Sequence, residues 1–111
     1  MKKLEATIRP FTLDDVRDAL VALGVEGTSV TEVQTLDPKA HAALYRGTEY
    51  VVWFSPQYRL DVVVRDELVV PCIEAIRQCA RTNDQACGEI VVLPVDDTVG
   101  IRTGDHLRRA A

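Results

Sequence analysis

From Lys2 to Ile8 polar and apolar residues alternate, with Leu4, Ala6 and Ile8 on one side and Lys3, Glu5 and Thr7 on the other. That two-residue period predicts a half-buried strand. Pro10 ends it. Thr12, followed three residues later by Asp15, has the form of a capping box, and Leu13, Val16, Ala19, Leu20 and Leu23 recur at helical spacing as far as Gly24. A helix of about three turns is predicted there. After the turn from Gly24 to Gly27, Ser29 to Gln34 reads as a second strand. Leu60 to Val64 starts the same order again, with a helix over Glu67 to Arg81 whose Val69, Ile73, Ile76 and Ala80 share a face, and a last strand over Glu89 to Val95. Two successive strand-helix-strand halves predict an α+β, ferredoxin-like βαββαβ sandwich, a single domain over 1–111 with helices on one face of an antiparallel sheet. The strands are apolar on both sides (Val62 and Val64 against Val63, Val91 and Leu93 against Val92), so the second face needs a cover. Self-association through the sheet supplies one.

Residues 35–57 break the pattern. A hairpin needs only about two to five loop residues, and longer uncommitted segments are functional or disordered. The reading here is a long, mobile loop whose far arm rejoins the sheet from Glu49. Leu44, Tyr45, Tyr50, Trp53 and Phe54 give it too much apolar content for a disordered insertion, so it is expected to dock against a partner.

Charge and composition narrow the function. The chain has 111 residues, 13 basic against 17 acidic side chains, a net charge of −4 and 47% hydrophobic content. A surface of that balance lacks the cationic field on which non-specific nucleic-acid binding depends. Nothing approaches the roughly 18 apolar residues of a membrane span, and the start of the chain is strand-like rather than a signal peptide. A cytoplasmic protein is expected, touching membranes only through a partner.

Cys72 and Cys79 lie seven apart in the second helix, which places them roughly 10 Å apart and out of disulfide reach. Both read as small core residues. Cys87 lies in a polar run, there is no CxxC pair, and only His41 and His106 could join a zinc site, so no metal is expected. Asp96 and Asp97 with His41 or His106 could do acid–base work, but no nucleophile or catalytic signature accompanies them. A catalyst is not expected.

The segments Met1 to Ala6, Arg9-Pro10-Phe11, Leu13 to Arg17, Val30 to Val33, Leu44 to Tyr50, Ala80-Arg81-Thr82 and Ile101 to Gly104 together resemble the PII signal-transduction proteins. The resemblance covers nearly the whole chain, in order and at near-constant spacing. It implies a homotrimer of ferredoxin-like subunits, adenine nucleotide in the three intersubunit clefts, and a protruding loop that binds a partner protein. It places Gly27, Thr28, Ser29, Asp61 and Val63 around the nucleoside, Ala86, Cys87 and Gly88 at the phosphates, and Arg102 on an anion. Tyr45, Arg46 and Tyr50 fall on the partner loop, and Tyr50 matches the tyrosine that some members receive as a uridylylation target.

Four departures stand out. The family's phosphate loop, Thr-Gly-Lys-Ile-Gly-Asp-Gly-Lys, corresponds to 82–89, where Gly88 survives and the final lysine has become Glu89. A carboxylate there repels the most anionic phosphate, so ADP or AMP is expected over ATP. The first arginine of Arg-Ile-Arg-Thr-Gly is Gly100. The metal-binding glutamine of the loop base is missing, and the lysine that pairs with 2-oxoglutarate corresponds to Gln57. Loss of that cation removes the partner of a dicarboxylate.

The chain is also similar to PII-like proteins associated with carboxysomes or bicarbonate transport. That similarity implies bicarbonate as second effector, a small anion that an arginine fork can hold, with Arg46, Arg59 and Arg102 as candidates and a bicarbonate transporter or carboxysome component as partner. Alternatives are a nitrogen-status regulator responding to ATP and 2-oxoglutarate, and a trimeric scaffold without ligand. The tail from 103 to 111 carries Arg108 and Arg109, which either reach a phosphate or fray.

Overall fold

The structure, a computed structural model, describes the backbone of residues 1–45, 48–81 and 88–106, and the side chains of these outside 37–53. The order is β1 (Lys2–Ile8), a 3₁₀ turn (Pro10–Thr12), α1 (Leu13–Ala22), β2 (Ser29–Tyr45), β3 (Thr48–Val64), α2 (Asp66–Ala80) and β4 (Ile90–Pro94). The strands lie in one antiparallel sheet in the order β2-β3-β1-β4. This is the ferredoxin-like arrangement expected from the two strand-helix-strand halves.

Register follows directly from the alternation in β1. Leu4 faces Val62, Ala6 faces Leu60 and Ile8 faces Tyr58. Leu4, Ala6, Leu60, Val62 and Val64 are buried with Val16 and Leu20 of α1 and Cys72 and Ile76 of α2, forming a single core between sheet and helices. The opposite rows put Glu5 against Asp61, Thr7 against Arg59 and Lys3 against Val63 on the open face. That face is therefore mixed rather than apolar, and it carries a Lys3–Glu5 pair at 3.1 Å and an Arg59–Asp61 pair at 3.3 Å.

Two sequence expectations change. Thr12 does not form a capping box: it is buried, and its Oγ1 donates to the Arg9 carbonyl at 2.8 Å, closing the 3₁₀ turn that leads into α1. The segment taken as a loop over 35–57 is, wherever described, strand backbone. β2 and β3 each run 17 residues and pair as far as Tyr45 opposite Thr48, with a register shift between Leu36 and His41. Pro38 has no N–H to give to a ladder, and it falls where the pairing slips. Beyond the slip, Ala42 to Tyr45 meets the β-favouring run Thr48 to Val51, and pairing resumes.

Cys72 is fully buried, Cys79 partly so, and both are free thiols. Among the described residues no helix is long and apolar enough to cross a membrane.

Candidate functional site

The residues singled out from the sequence fall into three groups on the sheet. The first surrounds the start of β2. Gly27, at φ 75°, makes the left-handed turn that sets Thr28 and Ser29 onto the strand. Ser29 lies directly opposite Asp61, and Asp61 opposite Glu5, in one row across the open face. One Asp61 oxygen, Oδ2, accepts from Arg59 Nε at 3.3 Å, while Oδ1 is buried and has no donor among the described residues. A carboxylate oxygen so placed can accept a further hydroxyl or N–H. Val63, two residues on, adds a half-exposed apolar surface. Gly27 and Thr28 also line a groove of about 440 Å³ with Leu13, Arg17, Val25 and Val30. Ser29, Asp61 and Val63 do not line that groove, which opens beside α1.

The second group gathers at the far end of β1. Gly88 lies on the Thr7 carbonyl so closely that a Cβ would come within 1.9 Å of that oxygen. Only glycine fits, and the contact seats Gly88 and Glu89 on the sheet. The Thr7 N–H donates to Glu89 O at 3.3 Å, and Thr7 faces Arg59 on β3, so Arg59 lies across one strand from Gly88. A cavity of about 150 Å³ beside Gly88 is lined by Arg9, Arg77, Arg81 and Glu89 among others. Glu89 therefore shares its cleft with arginines that the sequence reading did not weigh as site residues. Arg81 caps the end of α2, where its N–H donates to Arg77 O at 3.0 Å, and Arg77 also pairs with Glu74 at 3.2 Å. Arg9 and Arg81 entered above only within the motif segments Arg9-Pro10-Phe11 and Ala80-Arg81-Thr82, and Arg77 had no motif signal. Ala86 and Cys87 lie outside the described residues.

The third group is the turn after β4. The Val95 N–H donates to Met1 O at 3.3 Å, which places the chain at the opposite end of β1 from Gly88. From there it reaches the exposed Arg102. Gly88 thus lies against the Thr7 end of β1, Val95 lies against its Met1 end, and Arg102 follows further along the chain on an exposed turn.

Arg46 lies outside the described residues. Tyr45 and Tyr50 are placed by backbone alone, opposite Thr48 and Ala43 on the β2–β3 ribbon. Gln57 is buried, and its Oε1 accepts from Thr35 Oγ1 at 3.1 Å. Asp97, considered above as a possible acid–base group, contacts His106. Among the described residues no group of His, Cys, Asp or Glu could hold a metal ion.

A family model for nitrogen regulatory protein P-II matches residues 1–105. Nitrogen regulatory protein P-II of Haemophilus influenzae is 50% identical over 107 residues, covering 96% of each chain. That of Azospirillum brasilense is 49% identical over 106 residues, covering 95% of each. Nitrogen regulatory protein P-II 1 of Escherichia coli K12 is 44% identical over 107 residues, again 96% of each. The chain belongs to the P-II family. P-II proteins are trimeric, non-enzymatic signal-transduction regulators that take adenine nucleotides as effectors, and the ferredoxin-like fold described above is theirs.

Proposed function

We propose that this chain is a cytoplasmic P-II regulator of nitrogen status. In this reading an adenine nucleotide binds between subunits of a homotrimer, and the ribbon over 35–57, with Tyr45, Arg46 and Tyr50, acts on a protein partner. The observation that carries the reading is the end-to-end match, at 44–50% identity, to proteins named nitrogen regulatory P-II. The geometry fits. Ser29 and Asp61 offer a nucleoside an acceptor and a hydroxyl in one row, with Gly27, Thr28 and Val63 beside it. Phosphates are assigned to Gly88 and, by their match in sequence to the family's phosphate loop, to Ala86 and Cys87, and Arg102 comes from the neighbouring subunit. Glu89 in the phosphate cleft favours ADP or AMP over ATP.

A second reading is supported by Gln57. This neutral, buried amide is engaged by Thr35, and it stands where the family resemblance puts the lysine that pairs with 2-oxoglutarate. An inorganic-carbon regulator, with ADP or AMP plus bicarbonate held by Arg59, Arg46 or Arg102, fits that substitution. Its partner would be a bicarbonate transporter or a carboxysome component.

Calorimetric titration of the trimer with AMP, ADP and ATP, each with 2-oxoglutarate or with bicarbonate, separates the two. Nucleotide binding strengthened by 2-oxoglutarate supports nitrogen sensing, and strengthening by bicarbonate supports carbon sensing. Absence of any nucleotide binding overturns both and leaves a scaffold.

A further inference from the structure

The turn that carries Arg102 is closed by a contact the nucleotide reading does not use. Asp97 Oδ2 meets His106 Nδ1, and Val99 pairs with His106 in an antiparallel bridge. Inside this closure Gly100 N–H donates to Asp105 O at 2.9 Å and Gly104 N–H donates to Gly100 O at 2.8 Å. The Asp105 N–H donates to Thr103 Oγ1 at 3.2 Å, and Gly104 takes φ 72°. Arg102 therefore lies on a turn held at both ends, upstream by β4 and downstream by His106. The Asp97 and His106 side chains are 24% and 38% exposed, enough shielding to keep the contact from being fully screened.

Gly100 belongs to the same device. A Cβ there would come within 2.8 Å of Thr103 Oγ1, so a larger residue would push against the turn that the clasp closes. The position where the family resemblance puts an arginine has become the glycine that lets the turn tighten.

We infer that Asp97 and His106 are positioning residues, a clasp that fixes the 98–105 turn so that Arg102 is already ordered when a phosphate arrives. This rests on the reading of Arg102 as a nucleotide ligand. One cation ordered in advance offsets part of the loss of the other, because fewer backbone torsions remain to be fixed on binding.

The test uses the full chain with His106→Ala, His106→Asn, Asp97→Ala, Arg102→Ala and the pair Arg102→Ala/His106→Ala. ADP and adenosine are titrated, and tryptic cleavage after Arg102 is followed by mass spectrometry. Asparagine at 106 puts an amide nitrogen where Nδ1 stands. The clasp predicts that His106→Ala and Asp97→Ala weaken ADP roughly threefold to tenfold, leave adenosine unchanged and speed cleavage after Arg102. His106→Asn recovers both properties, and the double variant is no weaker than Arg102→Ala alone. If Arg102→Ala weakens ADP while the clasp variants bind and cleave as wild type, the clasp is wrong and the nucleotide reading stands. Equal weakening of adenosine would reduce the pair to a structural contact. If Arg102→Ala itself changes nothing, Arg102 is not a ligand, and the inference falls with that assignment.

Discussion

Thr35 Oγ1 donates to Gln57 Oε1 at 3.1 Å across the base of the β2–β3 ribbon, a diagonal contact between strands in which Thr35 pairs with Ser55 and Gln57 with Val33. Gln57 is 4% exposed, so its amide depends on protein partners. Thr35→Val, which keeps the shape and removes the hydroxyl, should lower stability by about 1 kcal/mol in urea denaturation. Gln57→Lys should lower it more, since an ammonium would be drawn into a buried position. An unchanged midpoint for both variants would show that the contact contributes nothing.

Gly88 has no room for a side chain over Thr7. Gly88→Ala should therefore cost about 1–3 kcal/mol, as overpacking does, and, on the proposed reading of Gly88 as a phosphate site, should remove nucleotide binding by displacing Gly88 from Thr7. Calorimetry with ADP, beside a thermal melt, checks both effects. Wild-type ADP affinity in Gly88→Ala would show that the loop does not need this seat.

Glu89 sits in the cleft beside Gly88 with Arg9 and Arg81. Glu89→Lys should tighten ATP by about tenfold and AMP by much less, because the reversed charge acts most on the terminal phosphates. The gain should shrink as salt is raised, since Glu89 is exposed. Equal gains for ATP and AMP would place the residue away from the phosphate chain.

Burial raises the Cys72 thiol above its ordinary value. A raised value in the fold means that the neutral thiol is favoured there. Its contribution to stability is full below the thiol's ordinary range and is lost as pH climbs from that range through the folded value. Stability should thus decline on the alkaline side, and Cys72→Ala should flatten that decline while lowering stability overall through the cavity. At pH 8 a thiol reagent should label Cys79 in the native protein and reach Cys72 only in denaturant. Equal labelling rates would contradict the burial.

Periodicity made most of the fold legible. The alternation in Lys2 to Ile8 and the helical spacing of Val16, Leu20, Cys72 and Ile76 are the core itself. The ribbon was not legible as strand because Asp37, Pro38 and Lys39 interrupt the alternation, and a slip in register looks locally like a loop. Thr12 and Asp15 have capping-box spacing, yet the carbonyl of Arg9 takes the Thr12 hydroxyl, a competition the motif cannot encode. At the site, Gly88 was visible as a surviving glycine, but the reason for it is Thr7, remote in sequence. Arg9 and Arg81 meet beside Glu89 only once α2 packs on β1. Asp97 and His106 have no motif spacing at all, and only the returning turn joins them.

Under the proposed function, in which the Gly88 cleft of one subunit takes Arg102 from its neighbour, each subunit is a donor of two unlike halves. Chains disabled at different ends should rescue one another. Mixed in one trimer, Gly88→Ala and Arg102→Ala subunits rebuild a sound cleft wherever an intact Gly88 end meets an intact Arg102 end, although neither variant alone forms one. On that reading loss of function is a property of neighbours, and two inactive alleles expressed together need not behave as inactive.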